Sequence, residues 1–334
     1  MFTRGGLVRL LVLGAVIGGS GASCIMMPGS SYQGELPPLT SEQQDLAQEL
    51  RKTVEVLALQ IGERNVQRPA ALAEAADAIE QSLEAAGYDV YRQTYHVGGV
   101  PCHNLEAILP GALLPERNLI IGAHYDSVPG SPAANDNASG VAALLALARR
   151  WREAEPPPVT IRFVAFVNEE PPYFQTPKMG SVVYASAAAK KGKDIAGMIS
   201  LETIGYYSDE PGSQRYPPPI GLFYPRTGNF IGFIGNHRSR RLVRRAVASF
   251  REHAQFPSEG AALPGLVPGV GWSDHWSFWQ AGWEAIMVTD TAPYRYPWYH
   301  SPFDTPEKID YERMARVVDG LFYVIRDLAE DAAR

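Results

Sequence analysis

Three short apolar runs, each ending in acidic side chains, alternate with helical segments between residues 117 and 207. The runs lie in RNLIIGAHYDS, VTIRFVAFVNEE and IAGMISLETIGYY, and helical periodicity falls in GVAALLALARRW and MGSVVYASAAAKK. Apolar runs of this length are typical of strands that are buried on both faces. Strands that alternate with helices are typical of a parallel sheet with helices on both sides. The sequence therefore predicts a three-layer α/β/α fold with a mostly parallel, mixed central sheet.

The rest of the chain extends this pattern into one domain. A capping box of Thr40 and Gln43 predicts a helix that begins near Ser41. The stretch EKIDYERMARVVDGLFYVIRDLAEDAA predicts a long closing helix. We expect a single domain over residues 41–334, preceded by a flexible tether over residues 25–40 that is rich in Pro, Gly and Ser.

The first 24 residues have the pattern of an export signal. Arg4 and Arg9 precede the apolar run LLVLGAVIGG, which is too short to span a bilayer comfortably, and small residues follow it. Cys24 after Gly-Ala-Ser resembles the lipobox of bacterial lipoproteins, in which the cysteine is lipidated, although Gly21 stands where Leu is usual. An ordinary cleaved secretory signal is the alternative. Both predict an exported protein, either a lipoprotein of the cell envelope or one that is periplasmic or secreted.

Composition argues against several other classes. The net charge is −6 without a long basic block, so nucleic-acid binding is not expected. No Gly-x-Ser-x-Gly follows a strand, which argues against a serine hydrolase. Cys102 is the one cysteine besides Cys24 and predicts no disulfide framework.

The polar residues at the strand ends predict a metal site. His124 and Asp126 end the first buried strand, Glu169 and Glu170 the second, and Glu202 lies on the third. The carboxyl ends of parallel strands meet at one edge, where ligands of α/β sheets bind. A carboxylate cluster there is costly unless a cation neutralises it, and oxygen and imidazole donors suit zinc.

Two further residues have ambiguous surroundings. Asp136, in NDNASG, is in a position typical of a helix N-cap, but the same loop begins with His-x-Asp. His300, in YPWYHSPFDTPEKID, could be a packed loop histidine or a ligand. Adjacent side chains on an extended strand point to opposite sides, so Glu169 and Glu170 can take different roles. The remaining histidines are interpreted as structural: His96, His103, His237, His253 and His275.

Taken together, these motifs resemble the zinc aminopeptidase family that includes bacterial leucyl aminopeptidases, glutamate carboxypeptidases and glutaminyl cyclases. The resemblance covers roughly residues 100 to 325 and rests on AHYDS, NDNASG, VNEE, SLETIGYY and YHSPFDTPEKID in this order. It implies a zinc-exopeptidase fold and two zinc ions about 3.5–4 Å apart, as is usual for two-metal centres.

The resemblance also implies a role for each residue. Asp136 would bridge the two ions, with His124 and Glu202 completing one site and Glu170 and His300 the other. Glu169 would be the general base that activates the metal-bound water, and Asp126 would orient the His124 ring. Many members of the family carry Asp at the position of Glu202. Asp274, in SDHWSF, resembles a substrate-pocket position.

The function expected from the sequence is a zinc-dependent exopeptidase of the aminopeptidase type, whose partner is a peptide substrate. One alternative on the same fold is a glutaminyl cyclase, which uses a single zinc held by the equivalents of Asp136, Glu170 and His300. An alternative of another class is a non-catalytic binding protein with a peptidase-like fold, which predicts lost ligands. The stretches EEPPYFQTPKMGS and YSDEPGSQRYPPPIGLFYP are expected to form a lid or wall over the site.

Overall fold

The architecture is that of a three-layer α/β/α domain in a computed structural model that describes residues 26–334. An eight-stranded sheet has the order β1-β2-β4-β3-β5-β8-β6-β7. The strands are β1 Val90–Val97, β2 Val100–Leu109, β3 Leu114–His124, β4 Val159–Phe166, β5 Asp194–Glu202, β6 Ile231–Gly235, β7 Ser258–Ala262 and β8 Ala285–Thr289. The central strands β4, β3, β5 and β8 are parallel, whereas β2 and β6 run antiparallel to their neighbours β4 and β8. This confirms the predicted mostly parallel, mixed sheet.

Helices cover both faces of the sheet. They are α1 Ser41–Glu55, α2 Pro69–Ala85, α3 Gly140–Glu153, α4 Gly180–Lys190, α5 Arg240–His253, α6 His275–Gln280, α7 Ala292–Arg295 and α8 Tyr311–Ala332. The segment Val56–Ile61 extends α1 as a π-helix, and Ala134–Ser139 is a second π-helical segment before α3. The side chain of Thr40 accepts from the backbone N–H of Gln43, which forms the predicted capping box.

The continuous apolar runs follow from burial on both sides. In β3, Leu119 and Ile121 pack into the larger core with α1, α2, α3, α5 and α8, while Ile120 packs into the smaller core with α4 and α6. β4 alternates in the same way. A strand that contacts a helix layer on each side has no polar face, which explains why these runs lack the alternation of a half-exposed strand.

Residues 26–40 contain no helix or strand, but they contact the domain. The guanidinium of Arg251 in α5 donates to the carbonyls of Pro28 and Gly29, at 3.0 and 3.2 Å. The hydroxyl of Ser31 accepts from the backbone N–H of Ser258 at the start of β7. The prediction of a flexible tether did not anticipate these contacts, which depend on residues more than 200 positions away.

The predicted export signal and the lipidation site Cys24 lie outside the described residues. Within residues 26–334, none of the helices combines the length and apolarity needed to cross a membrane.

Candidate metal centre

The predicted ligands meet at the carboxyl ends of the parallel strands, in two groups that share one residue. One group is His124, Asp136 and Glu202, and the other is Asp136, Glu170 and His300. In each group the candidate ligand atoms lie within 4.8 Å of one another. These five residues are the ones that the resemblance assigned to metal binding, and they pair as it implied.

Asp136 lies between the two groups, with one carboxylate oxygen toward each. Its Oδ1 is 3.3 Å from Nε2 of His124, and its Oδ2 is 3.1 Å from Nε2 of His300. Nε2 of His124 is also 3.3 Å from Oε2 of Glu202, and Nε2 of His300 is 3.2 Å from Oε2 of Glu170. A carboxylate in this position can bridge two cations.

The conformation around Asp136 is held by buried hydrogen bonds rather than by a helix cap. The carboxylate of Asp304 accepts from the backbone N–H groups of Asn135 and Asp136, at 2.8 and 3.1 Å. The hydroxyl of Tyr296 donates to the same carboxylate at 2.7 Å. The N-cap of α3 is Ser139, and the carboxylate oxygens of Asp136 face His124 and His300, so the N-cap alternative does not describe Asp136. Asp304 thus orients the residue shared by both ligand groups.

Asp126 connects the ends of β3 and β4. Its Oδ1 lies 3.6 Å from Nδ1 of His124, next to the ring as the resemblance implied. Its two oxygens also accept from the backbone N–H groups of Glu169 and Glu170, at 3.0 and 3.2 Å. This second function was not predicted, because a backbone acceptor leaves no pattern in the sequence. One carboxylate therefore fixes the relative positions of a candidate ligand histidine and both glutamates.

Glu169 and Glu170 point to different parts of the centre, although both lie after the end of β4 at Phe166 and not on an extended strand. Oε2 of Glu169 is 3.8 Å from Nε2 of His124, and Glu169 belongs to neither ligand group. Burial raises the pKa of Glu169 well above its usual value, and the charges of Glu202 and Glu170 raise it further, although His124 opposes them. A buried carboxyl that is not a ligand and has a raised pKa is suited to accept a proton.

A buried arginine outside the predicted set supports the same loops. Arg64 is fully buried, and its guanidinium donates to the carbonyls of Leu57, Gly62, Tyr125, Pro132 and Ala133. Its charge also acts on Asp126, Asp304, Asp136 and Glu170. The strong desolvation lowers the pKa of Arg64 to about 10, so it stays protonated at neutral pH. No sequence motif identified this residue.

The substrate role of Asp274 stays a prediction. Asp274 is fully buried and is not among the residues that line the neighbouring cavity. Burial, together with the charges of Glu202 and Asp126, raises its pKa to about 7 even though His124 opposes this. It lies beneath the centre because it precedes α6, whose side chains pack into the smaller core. His275, interpreted as structural, is also fully buried and packs against Trp279.

The donor atoms fit zinc. Nε2 of His124 and Oε1 of Glu170 are buried without a hydrogen-bond partner, which is costly unless a cation satisfies them. Nitrogen and carboxylate oxygen donors without thiolates are usual in catalytic zinc sites. Asp126 and Asp304 supply the surrounding hydrogen bonds that such sites need for orientation.

Zinc binding is expected to release protons and to strengthen as the pH rises from about 6 to 9. Burial and the charge of Asp136 raise the pKa of Glu170 to about 8. Burial lowers the pKa of His300, but its contacts with Asp136 and Glu170 outweigh this and raise it to about 10. The pair therefore retains at least one proton at pH 7 in the metal-free protein, and this proton must leave when the two side chains become ligands.

Calorimetric zinc titrations in two buffers that differ in ionisation enthalpy would check this. The apparent enthalpy of zinc binding should depend on the buffer. The variant His253→Gln is the control, because His253 contacts Asp327 on the surface, and it should release as many protons on zinc binding as the native protein does. A buffer-independent enthalpy would contradict the prediction.

A largely apolar cavity adjoins the centre. Its floor is formed by β6 and β8, and Glu202 and Tyr299 line its boundary with the metal ligands. The connection between β5 and β6 supplies one wall, with Gln214, Tyr216, Pro217, Ile220, Tyr224 and Phe230. The predicted wall is thus present for this stretch. The other predicted stretch does not line the cavity, but the side chain of Gln175 donates to the carbonyl of Gly271, next to the cavity residue Trp272.

Comparison with known proteins assigns the chain to a family. Residues 104–325 match Peptidase family M28. The chain belongs to this family. It is therefore related to hydrolases of a zinc-dependent metallopeptidase family, and its two ligand groups agree with that.

Individual relatives extend the likeness over most of the chain. The Escherichia coli (strain K12) protein YfbL, described as uncharacterized, is 38% identical over 287 residues, which cover 83% of this chain and 87% of YfbL. The zinc aminopeptidase BSAP from Bacillus subtilis has a TM-score of 0.67 at 18% identity, covering 84% of this M28 chain and 94% of BSAP. The Fimbriiglobus ruber glutaminyl cyclase has a TM-score of 0.63 at 23% identity, covering 90% and 99%. At these identities the two structures show the shared fold.

Proposed function

We propose that this M28 protein is a two-zinc aminopeptidase. The observation that carries the proposal is that Asp136 belongs to two complete ligand groups. One of its oxygens faces the group with His124 and Glu202, and the other faces the group with His300 and Glu170. A single-zinc cyclase requires only the group with His300. A non-catalytic binding protein requires neither group, yet every predicted ligand is present.

The protein side chains supply positioning and proton transfer. When bound, the two zinc ions would polarise the scissile carbonyl and make a water molecule more acidic. Glu169 accepts the proton of the attacking water on a carboxylate oxygen and delivers it to the nitrogen of the leaving amine. Asp126 holds the backbone of Glu169 so that its carboxyl stays next to the centre.

The metal ligands and the cavity indicate the part of the substrate that binds. A free N-terminal amine is a nitrogen donor of the kind that zinc binds. The adjoining cavity, lined by Ile234, Val270 and Met287 among others, suits a bulky apolar side chain next to that amine. We therefore expect hydrolysis of peptides that begin with a large apolar residue.

Narrowing this cavity is expected to change the choice of substrate. Ile234 lies on the cavity side of β6, whereas its neighbour Phe233 packs against Phe250 of α5. Ile234→Trp should lower kcat/KM for leucyl and phenylalanyl substrates by about tenfold or more, because steric exclusion from an apolar pocket typically has this size. Alanyl substrates should be nearly unaffected.

Measured kcat/KM values for a series of aminoacyl p-nitroanilides would check this. Ile108→Trp makes the same change at an exposed position of β2 and serves as the control. Equal losses for alanyl and leucyl substrates would mean that the cavity does not hold the N-terminal side chain.

Zinc content and activity of the same preparations test the proposed function. We expect two zinc ions per chain and hydrolysis of aminoacyl substrates in the native protein, and loss of both ions in Asp136→Ala. Glu202→Ala should lose one ion and the hydrolysis. One ion in the native protein, with cyclisation of glutaminyl peptides, would instead assign the cyclase. No ion after zinc loading would support the binding protein.

The same proposal includes the location. The signal-like pattern of residues 1–24 supports export, and Cys24 supports a lipid anchor in the cell envelope. Incorporation of labelled fatty acid into the native chain, but not into Cys24→Ser, would check this.

A further inference from the structure

Basic side chains collect at the edge of the sheet opposite the metal centre. Because β6 is antiparallel to β8, the end of β6 and the start of α5 lie near the amino ends of the parallel strands. The turn from α4 to β5 reaches the same edge. The residues here, called the basic edge below, are Arg117, Lys190, Lys191, Lys193, Arg238, Arg241 and Arg245.

Acidic partners neutralise only part of this edge. Arg117 pairs with Asp194, and Arg245 pairs with Asp331. Glu284 lies with Arg241 and Arg245 around one shallow depression and also faces Arg238, and the exposed Glu116 directly precedes Arg117. Arg238, Arg241 and the three lysines are exposed. The whole chain has a net charge of −6, so the charge of the basic edge is opposite in sign to that of the whole molecule.

The N-terminal segment runs along α5 toward this edge. Going backwards along the chain, Ser31 contacts Ser258 at the start of β7, and Pro28 and Gly29 contact Arg251 near the end of α5. The carbonyl of Met26 then accepts from Arg244, two turns closer to the start of α5. The chain therefore leaves the described domain beside the basic edge. Cys24, the predicted lipidation site, stands two positions before Met26 in the sequence.

We propose that the basic edge is a docking surface for an anionic phospholipid membrane. Basic side chains near an anionic bilayer are attracted to it, and a patch of this kind commonly supplements a lipid anchor. Charge complementarity and the path of residues 31 to 26 both select a membrane as the partner. The surface itself does not depend on catalysis or on acylation.

This orientation would direct the catalytic edge away from the bilayer. The five ligands lie at the carboxyl ends of β3, β4, β5 and β8, and the basic edge lies near the amino ends of the same strands. Peptides in the aqueous phase would then reach the centre without passing the membrane surface.

Vesicle partitioning of the full chain tests the proposal. Cys24 is replaced by serine so that no acyl chain contributes, and binding to phosphatidylcholine vesicles is subtracted from binding to vesicles that also contain phosphatidylglycerol. Binding to the anionic vesicles should weaken with added salt. Arg238→Glu combined with Arg241→Glu should lower the partition coefficient by about 30-fold or more, at the usual contribution of each basic residue.

A matched control changes the net charge equally at the other edge. Arg51 lies over the ring of Tyr311 at the start of α8, and Arg68 lies next to the loop that contacts Ser127 after β3. Arg51→Glu combined with Arg68→Glu should retain most of the vesicle binding. Unchanged binding in the first variant, or equal losses in both, would overturn the proposal. Aminopeptidase activity in solution should be unaffected in both variants, so this outcome is independent of the proposed function.

Discussion

Glu169→Gln is expected to lower kcat by about 10²- to 10⁴-fold while both zinc ions stay bound, the usual range for loss of a general base. The amide has nearly the same shape but accepts no proton from water. Glu169 is in neither ligand group, so its replacement leaves the ligands in place. The backbone hydrogen bond from Glu169 to Asp126 also remains, because it uses the main-chain N–H.

The neighbouring glutamate provides the matched comparison. Glu170→Gln makes the same chemical change one residue away, but Glu170 belongs to a ligand group, so this variant should lose zinc as well as activity. Zinc content by elemental analysis and single-turnover rates on the same samples separate the two effects. Loss of zinc in Glu169→Gln with retention in Glu170→Gln would reverse the assignment of the two residues.

Arg64→Met is expected to destabilise the protein by about 3–5 kcal/mol and to weaken zinc binding, because removing one member of a buried charge network typically has this cost. Methionine fills similar space but leaves the carbonyls of Tyr125, Pro132 and Ala133 without the donor that contacts them. Those carbonyls belong to the loop between His124 and Asp136. The nearby carboxylates also lose a buried positive charge.

Thermal unfolding and zinc affinity check this second prediction. Arg64→Lys should recover part of the loss, since an ammonium keeps the charge but cannot donate to five carbonyls. Arg68→Met, at a side chain that is 65% exposed, is the control and should unfold like the native protein. A native melting temperature and native zinc affinity in Arg64→Met would show that the buried guanidinium does not hold the loop.

The fold and most of the centre could be predicted because each has a local signal. Buried strands such as β3 are continuous apolar runs, and the topology of parallel strands brings their ends together whatever their separation in sequence. His124, Asp136, Glu170, Glu202 and His300 were assigned by resemblance on this basis, and the structure groups them in the implied pairs.

The remaining features depend on contacts that have no local signal. β6 and β7 were not predicted, because FIGFIG and SEGAA contain glycines and small residues that do not favour strands. Arg64 and Asp304 were missed because they act on backbone groups of the loop before Asp136, far away in sequence. The complete burial of Asp274 was also missed, since nothing in SDHWSF indicates it.

In the proposed peptidase, the connection between β5 and β6 contributes to substrate selection but not to the reaction. It begins after the ligand Glu202, reverses the strand direction, and supplies one wall of the apolar cavity. None of residues 206–230 belongs to a ligand group. A change of length or composition there can alter which peptides fit without altering the reaction. Homologues could therefore differ in substrate specificity while retaining the same catalytic residues. Exchange of this segment between them is a direct route to new specificities.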